Sequence, residues 1–263
     1  MSEPFSVDGK VVVITGGLGQ LGRRFTSELA TRGAKVAVVD IQKSASKGAG
    51  DNVLYLAGDV TDRASLESAL AEIEGKWEKP HVLINNAALD SPPGSPVSEN
   101  GPFEDFPIDS WNRALGVNLT GAFLACQVFG GAMASAGRGS IINVSSIYGV
   151  VSPDQRIYEY RRQGGENFFK PVAYSATKSG LLNLTRYLAT YWAARGVRVN
   201  TLTLGGVFNK QDPRFLKGYC ERVPLGRMAD EAEYVGPIIF LSSDASSYMT
   251  GANLIVDGGW TAW

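Results

Sequence analysis

The stretch "KVVVITGGLGQLG" occupies Lys10–Gly22. A β-branched apolar run ends at Thr15, and Gly16, Gly17, Gly19 and Gly22 follow as a helical pattern opens. β-branched residues favour extended chain, whereas glycine permits tight turns and close backbone approach. The stretch therefore reads as a strand, a glycine-rich turn and a helix start. In that arrangement a pyrophosphate can rest on the helix N-terminus. An ordinary strand–helix turn could carry the same glycines, so the context decides. The next apolar run, "KVAVVD" (Lys35–Asp40), ends in an acid that can accept hydrogen bonds from an adenosine ribose. The Asp40 carboxylate would also repel a 2′-phosphate, so NAD is expected over NADP. No Gly-Lys-Ser/Thr follows the turn, which excludes a P-loop.

Outward from this unit, short apolar runs alternate with longer amphipathic stretches. Strands are expected at "NVLYLAGDV" (Asn52–Val60), "HVLINN" (81–86), "GSIINVSS" (139–146), "VRVNTLTL" (197–204) and "NLIVDGG" (253–259). Helices are expected near 20–32, from Thr61–Asp62 onward, and near 109–135, 173–195 and 230–242. The strands are apolar on both faces, as in a parallel sheet covered by helices. Seven strands interleaved with helices predict a doubly wound, Rossmann-type α/β fold in one domain spanning 1–263. "LDSPPGSPVSENGPF" (Leu89–Phe103) reads as a loop after the fourth strand.

Composition narrows the function. The 263 residues are 44% hydrophobic and 19% charged, with a net charge of −1. This is a globular balance without a basic tract, so nucleic acid is not an expected partner. No unbroken apolar run reaches membrane-span length and "MSEPFSVDGK" is not a signal peptide, which predicts a cytoplasmic protein without a membrane partner. Cys126 and Cys220 are expected as reduced core thiols. The single histidine, His81, excludes a His-rich zinc site and leaves little room for a Ser-His-Asp triad. At the start of an apolar run, His81 is expected to be structural.

"YSATK" places Tyr174 and Lys178 four residues apart, on one face of a helix. A phenol with a reference pKa near 10 is a poor base at neutral pH, but a neighbouring ammonium favours the phenolate. Such a pair can act as general acid–base at a carbonyl or carbinol carbon.

These residues, with "TGG…G" near the N-terminus, "GDV" (58–60), "NNAA" (85–88), "VNLTGAF" (117–123), "NVSSIYG" (143–149) and "TGANLIVDGG" (250–259), resemble the short-chain dehydrogenase/reductase family along essentially the whole chain. The resemblance implies that Tyr174 is the catalytic acid–base and that Lys178 tunes it and bonds the nicotinamide ribose. It implies that Ser146 positions the substrate oxygen and Asn118 continues a proton relay. It also implies cofactor contacts at Gly16, Gly19, Gln20, Leu21 and Gly22, at Asp40, at Asp59 and Val60, at Asn86 and Ala87, and at the backbone of Val207. Association as a homotetramer or homodimer is a further expectation, with Trp260 and Trp263 buried near a subunit interface or a neighbour's active site. Two positions depart from the family pattern: Gln20 stands where glycine is usual, and Leu204 where proline is usual.

A third departure is length, because Ser146 and Tyr174 are much farther apart than in the family. If both meet one substrate oxygen, segment 150–171 must loop out and return at the C-terminal ends of the strands. It carries Arg156, Arg161, Arg162 and Lys170 with Tyr158, Tyr160, Phe168 and Phe169. Arginine forks suit carboxylate or phosphate, and aromatic faces suit sugars. Arg156, Tyr158, Arg161 and Arg162 are therefore candidate substrate contacts, although the segment could equally cap the sheet or meet a neighbouring subunit. "SSIYGVVSPDQRIYE" and "VDGGWTAW" are also similar to bacterial surface-sugar dehydrogenases of flagellin-modification and legionaminic acid pathways. That likeness implies an anionic sugar as small-molecule substrate. Alternatives are a 3-oxoacyl-thioester or general ketone reductase using NADPH, and a non-catalytic nucleotide sensor.

Overall fold

Seven apolar runs become seven parallel strands: β1 Val11–Thr15, β2 Lys35–Asp40, β3 Val53–Ala57, β4 Val82–Asn85, β5 Gly139–Ser146, β6 Val197–Leu204 and β7 Asn253–Val256. The computed structural model describes residues 3–42, 50–90 and 100–263, so positions 91–99 of the expected Pro/Gly/Ser-rich loop lie outside the described residues. The sheet order is β3-β2-β1-β4-β5-β6-β7, parallel throughout. It reverses between β1 and β4, where Thr15 aligns with Asn85. Such a switch point opens a ligand crevice at the carboxyl ends of the strands. This is the expected Rossmann-type fold.

The helices are α1 Gln20–Thr31, α2 Arg63–Lys76, α3 Ile108–Ala136, α4 Glu159–Gln163, α5 Val172–Trp192, α6 Pro213–Cys220 and α7 Val235–Ser242. Asp62 caps α2 by accepting the Ala64 amide at 3.0 Å, as Thr61–Asp62 signalled. One sheet face is covered by α2, α3 and α5 through Leu66, Phe129, Met133 and Trp192. The other is covered by α1 and α7 through Phe25, Leu29 and Ile238. Each fully buried side chain of this size contributes about 1.5–3 kcal/mol relative to exposure. By length and average composition α3 could cross a membrane, but half of its apolar window is buried. Ala125, Cys126, Phe129 and Met133 pack it on the sheet.

A polar ladder crosses this interior. Asn85 donates to Asn143 at 2.8 Å, Asn143 donates to Thr185 at 2.8 Å, and Thr201 donates to Thr185 at 2.7 Å. The bonds tie β4, β5 and β6 to α5 and fix its register on the sheet. Asn143 and Asn118 are both buried. His81 is structural, accepting the Val11 amide on Nδ1 at 3.0 Å. Burial lowers its pKa. Both cysteines are free thiols, and burial pushes Cys126 up to about 12.

Segment 150–171 builds a third core over the strand ends. Its short turn Gln155–Tyr158 buries Ile157 and Tyr158, and the stretch after α4 buries Phe168, against Tyr148, Tyr219, Val223 and Trp260. Trp260 stacks on Tyr219 with centroids 4.5 Å apart. Trp260 belongs to its own chain's core because the insertion supplies the aromatic partners, and Trp263 is 81% exposed.

The join between β5 and α5 is tight. A Cβ on Gly149 would lie 2.7 Å from the Lys178 carbonyl carbon and oxygen, so only glycine lets this turn reach α5. We expect Gly149→Ala to destabilise by about 1–3 kcal/mol, read as a lower denaturant midpoint at unchanged slope. Gly75, exposed in α2 with nothing within 4 Å of an added Cβ, supplies the control. Gly75→Ala should raise the midpoint by the equivalent of about 0.5–1 kcal/mol.

Candidate active site

Ser146 ends β5, and Tyr174 and Lys178 stand one turn apart on α5. Three contacts dock α5 on the strand end: the turn at Gly149, the Ser145 hydroxyl donating to the Lys178 carbonyl at 2.8 Å, and the Lys178 ammonium donating to the Val144 carbonyl at 2.8 Å. The Tyr148 amide donates to Ser146 Oγ at 3.2 Å, and the Ser146 side chain hydrogen-bonds the Tyr174 phenol. The intervening segment thus returns, and the three residues meet.

Their electrostatics differ from the expectation. Burial pushes the Tyr174 phenol above the ordinary tyrosine range, and the Asp90 carboxylate pushes the same way, while the Ser146 hydrogen bond opposes them. Lys178 does not override this. Its ammonium is aimed at Val144 and lies 5.8 Å from the tyrosine ring centroid. Burial lowers Lys178 to about 8, with Asp90 opposing.

Asn118 sits in a π-helical turn, Gly116–Thr120, inside α3. Such turns recur at functional sites because they re-aim side chains. Its Oδ1 accepts the Leu89 amide at 2.6 Å, and its Nδ2 donates to the Leu89 carbonyl at 3.0 Å and to Thr177 Oγ1 at 3.1 Å. These bonds make the Asn118 side chain a clamp on the loop after β4.

The glycine turn forms the other half of the cleft. Gly16 has φ +64°, and a Cβ there would lie 2.6 Å from Ala87 Cα; one on Gly22 would lie 2.5 Å from the Gly16 carbonyl. Asn86 Nδ2 donates to that carbonyl at 2.9 Å, and Thr15 Oγ1 accepts the Asn86 and Ala87 amides at 3.2 and 3.3 Å. Helix α1 begins at Gln20 after Gly19 with no side-chain cap, so its first-turn amides face the cleft. Leu21 lines the cavity there. Gln20 Nε2 donates to the Phe208 carbonyl at 3.0 Å, bridging α1 to the loop after β6. Asp40 accepts the Leu18 and Gln42 amides, both at 3.0 Å, which fixes the carboxylate at the end of β2. Asp59 accepts from the Thr61 amide and hydroxyl, and the Val60 side chain is turned into the core. The Val207 carbonyl accepts Gln211 Nε2 at 2.8 Å. Leu204, the other departure, closes β6 as a buried residue on the cavity wall.

A cavity of about 530 Å³ joins the two halves at the carboxyl ends of the strands. Of the four candidate substrate contacts, Tyr158 and Arg161 line it. Arg156 and Arg162 do not reach it. The Arg156 guanidinium is 80% exposed and bound to Asp154, and Arg162 donates to the Phe168 and Gln155 carbonyls at 3.0 and 2.8 Å. Arg161 stacks over Phe168 at 3.7 Å and pairs with Glu166. The sequence reading missed part of the wall: Asp90 after β4, and Gln211, Asp212, Arg214 and Phe215 before and within α6. Their only sequence signal is position after a strand's carboxyl end, where loops of this fold bear ligand contacts.

Comparison with known proteins agrees with this geometry. The family model described as enoyl-(acyl carrier protein) reductase matches residues 19–261. The chain is 32% identical over 269 residues to the D-threitol dehydrogenase of Mycolicibacterium smegmatis, covering 98% of this chain and 95% of that one. It is 32% identical over 264 residues to a 2,5-dichloro-2,5-cyclohexadiene-1,4-diol dehydrogenase of Sphingobium indicum, covering 96% of each. A crystal structure of a short-chain dehydrogenase from Leptospira borgpetersenii with bound NAD+ superposes with a TM-score of 0.87 at 33% identity, covering 99% of this chain and 97% of that one. With the serine, tyrosine and lysine joined at the strand ends, this protein belongs to the short-chain dehydrogenase/reductase family of oxidoreductases.

Proposed function

We propose that the protein uses NAD to oxidise a secondary alcohol of a neutral hydroxylated compound, a sugar alcohol or a cyclic diol. The observation that carries the reading is the convergence of Ser146, Tyr174 and Lys178 on one cavity wall beside the uncapped start of α1. The cofactor fits the residues present. Gly16 and Gly22 leave room that a side chain would fill, the α1 amides suit the pyrophosphate, and Asp40 suits a ribose diol and disfavours a 2′-phosphate. The relative with bound NAD+ supports this choice.

When bound, the nicotinamide supplies the hydride acceptor. Ser146 holds the substrate hydroxyl, and Tyr174 takes its proton as the carbonyl forms. Lys178, anchored on Val144, offers its remaining donors to the nicotinamide ribose. Asn118 acts through the loop it holds.

Three basic side chains of the cavity wall carry their own counter-ions. Arg161 pairs with Glu166, Arg214 with Asp212 and Lys170 with Asp90 on the cavity wall. With these charges matched, a neutral polyol suits the site better than an acidic sugar, and the two named diol and polyol dehydrogenases support that choice. The same charged wall disfavours a long acyl chain. Association of copies remains part of the reading. Tyr187 and Tyr191 stack at 5.9 Å on an exposed face of α5, and Phe123 and Ile255 are exposed on α3 and β7.

Three outcomes test the proposal. Purified protein with NAD should oxidise D-threitol or a cyclic diol, followed by the absorbance of reduced nicotinamide. Tyr174→Phe should lower that rate by about 10²–10⁴-fold while NAD affinity, measured by calorimetry, stays within a few-fold. Oxidation of none of these alcohols, with reduction of a β-keto ester instead, would overturn the reading. Asp40→Ala should move the NAD/NADP preference toward NADP by at least about tenfold in kcat/KM, a change of about 1.4 kcal/mol. Because burial raises the Tyr174 pKa, the base form is scarce at neutral pH. Alcohol oxidation should therefore speed up with rising pH, while carbonyl reduction, which needs the phenol, should be retained toward lower pH.

A further inference from the structure

We propose that the ion pair between Asp90 and Lys170 is a positioning device that sets the proton affinity of Tyr174. Lys170 is only 9% exposed although it lies at the end of the insertion. Its ammonium pairs with Asp90 and lies 4.7 Å from the Tyr174 ring centroid and 5.9 Å from that of Tyr148. Both members of the pair line the cavity.

Each member is held independently. Gln155 clamps the Lys170 backbone from both sides: its Oε1 accepts the Lys170 amide at 2.9 Å and its Nε2 donates to the Lys170 carbonyl at 3.2 Å. The next residue, Pro171, precedes the first turn of α5. Asn118 clamps the backbone of Leu89, beside Asp90, in the same two-sided way. A long flexible lysine and an acid on a loop are thus brought to a fixed place against one ring.

The charges facing Tyr174 can be counted by element. Lys178 comes from the same helix, Lys170 from the insertion and Asp90 from the loop after β4. Among the described residues, the other titratable groups that bear on Tyr174, Tyr148 after β5 and Tyr219 on α6, are kept protonated by burial. Ser146 is neutral. Lys178, lowered by burial to about 8, is neutral where the phenol titrates, so Lys170 and Asp90 bear on the phenolate with opposite charges and Asp90 offsets Lys170. Loss of Lys170 leaves the phenolate facing the acid, and loss of the acid leaves it facing the Lys170 ammonium. The two changes act in opposite directions, which a merely structural ion pair would not produce.

This inference rests on Tyr174 being the base, so the test reads the phenol itself and requires no turnover. The ultraviolet phenolate band is titrated in excess NAD, and the titration of Tyr174→Phe is subtracted to isolate Tyr174. Lys170→Met should raise the midpoint by about one pH unit and Asp90→Asn should lower it by about one. Lys170→Arg, which keeps the charge, should stay near wild type. Shifts of the same sign in Lys170→Met and Asp90→Asn, no shift in either, a Lys170→Arg shift matching that of Lys170→Met, or no Tyr174 phenolate signal in Asp90→Asn would each overturn the proposal. Failure of all alcohol substrates alongside opposed titration shifts would overturn the proposed reaction and leave this inference standing.

Discussion

The site depends on how closely α5 lies against the end of β5. The turn Ile147–Gly149 touches the α5 backbone at Lys178, which a side chain on Gly149 would prevent. Ser145 then bonds the Lys178 carbonyl and Lys178 bonds the Val144 carbonyl, so strand and helix are joined twice more within the same few ångströms. The Asn85–Asn143–Thr185–Thr201 ladder continues the same attachment into the interior. Buried polar groups are costly unless bonded, so satisfying this set in one register excludes a slipped helix. Ser146, Tyr174 and Lys178 inherit their spacing from that register.

Burial then sets the chemistry. The same packing that holds Tyr174 raises its proton affinity, and it lowers that of Lys178. The cleft therefore holds a neutral phenol next to a lysine that titrates near the physiological range. Charges brought into the site weigh heavily in this low-dielectric setting. The insertion contributes to this balance because it delivers Lys170, with its counter-ion Asp90, to the face of the tyrosine ring.

The insertion also shows where sequence reading reaches its limit. Arg156, Arg161 and Arg162 look alike as letters, and each suggests an anion site. In the fold one is solvated on Asp154, one pairs with Glu166 at the cavity wall, and one satisfies backbone carbonyls of its own loop. A basic side chain seeks the nearest acceptor, and that acceptor is unknown until the chain is folded. Gln20 poses a similar problem. It replaces a usual glycine, and its amide is used to reach the Phe208 carbonyl across the cleft.

What the sequence by itself determined is periodic or local. Apolar runs with helical stretches between them specify a parallel doubly wound sheet, because strands buried on both faces must be apolar throughout. Glycines after β1, an acid at the end of β2 and a tyrosine four residues before a lysine mark the glycine turn and the Tyr174–Lys178 pair, since each needs only neighbours along one element. Tertiary structure alone decided the rest. It closed the distance between Ser146 and Tyr174, turned Trp260 into the insertion's core, gave the arginines their partners and set Lys170 against the Tyr174 ring. These outcomes depend on contacts between segments far apart in the chain, and neither spacing nor composition encodes which acceptor or ring each side chain will meet.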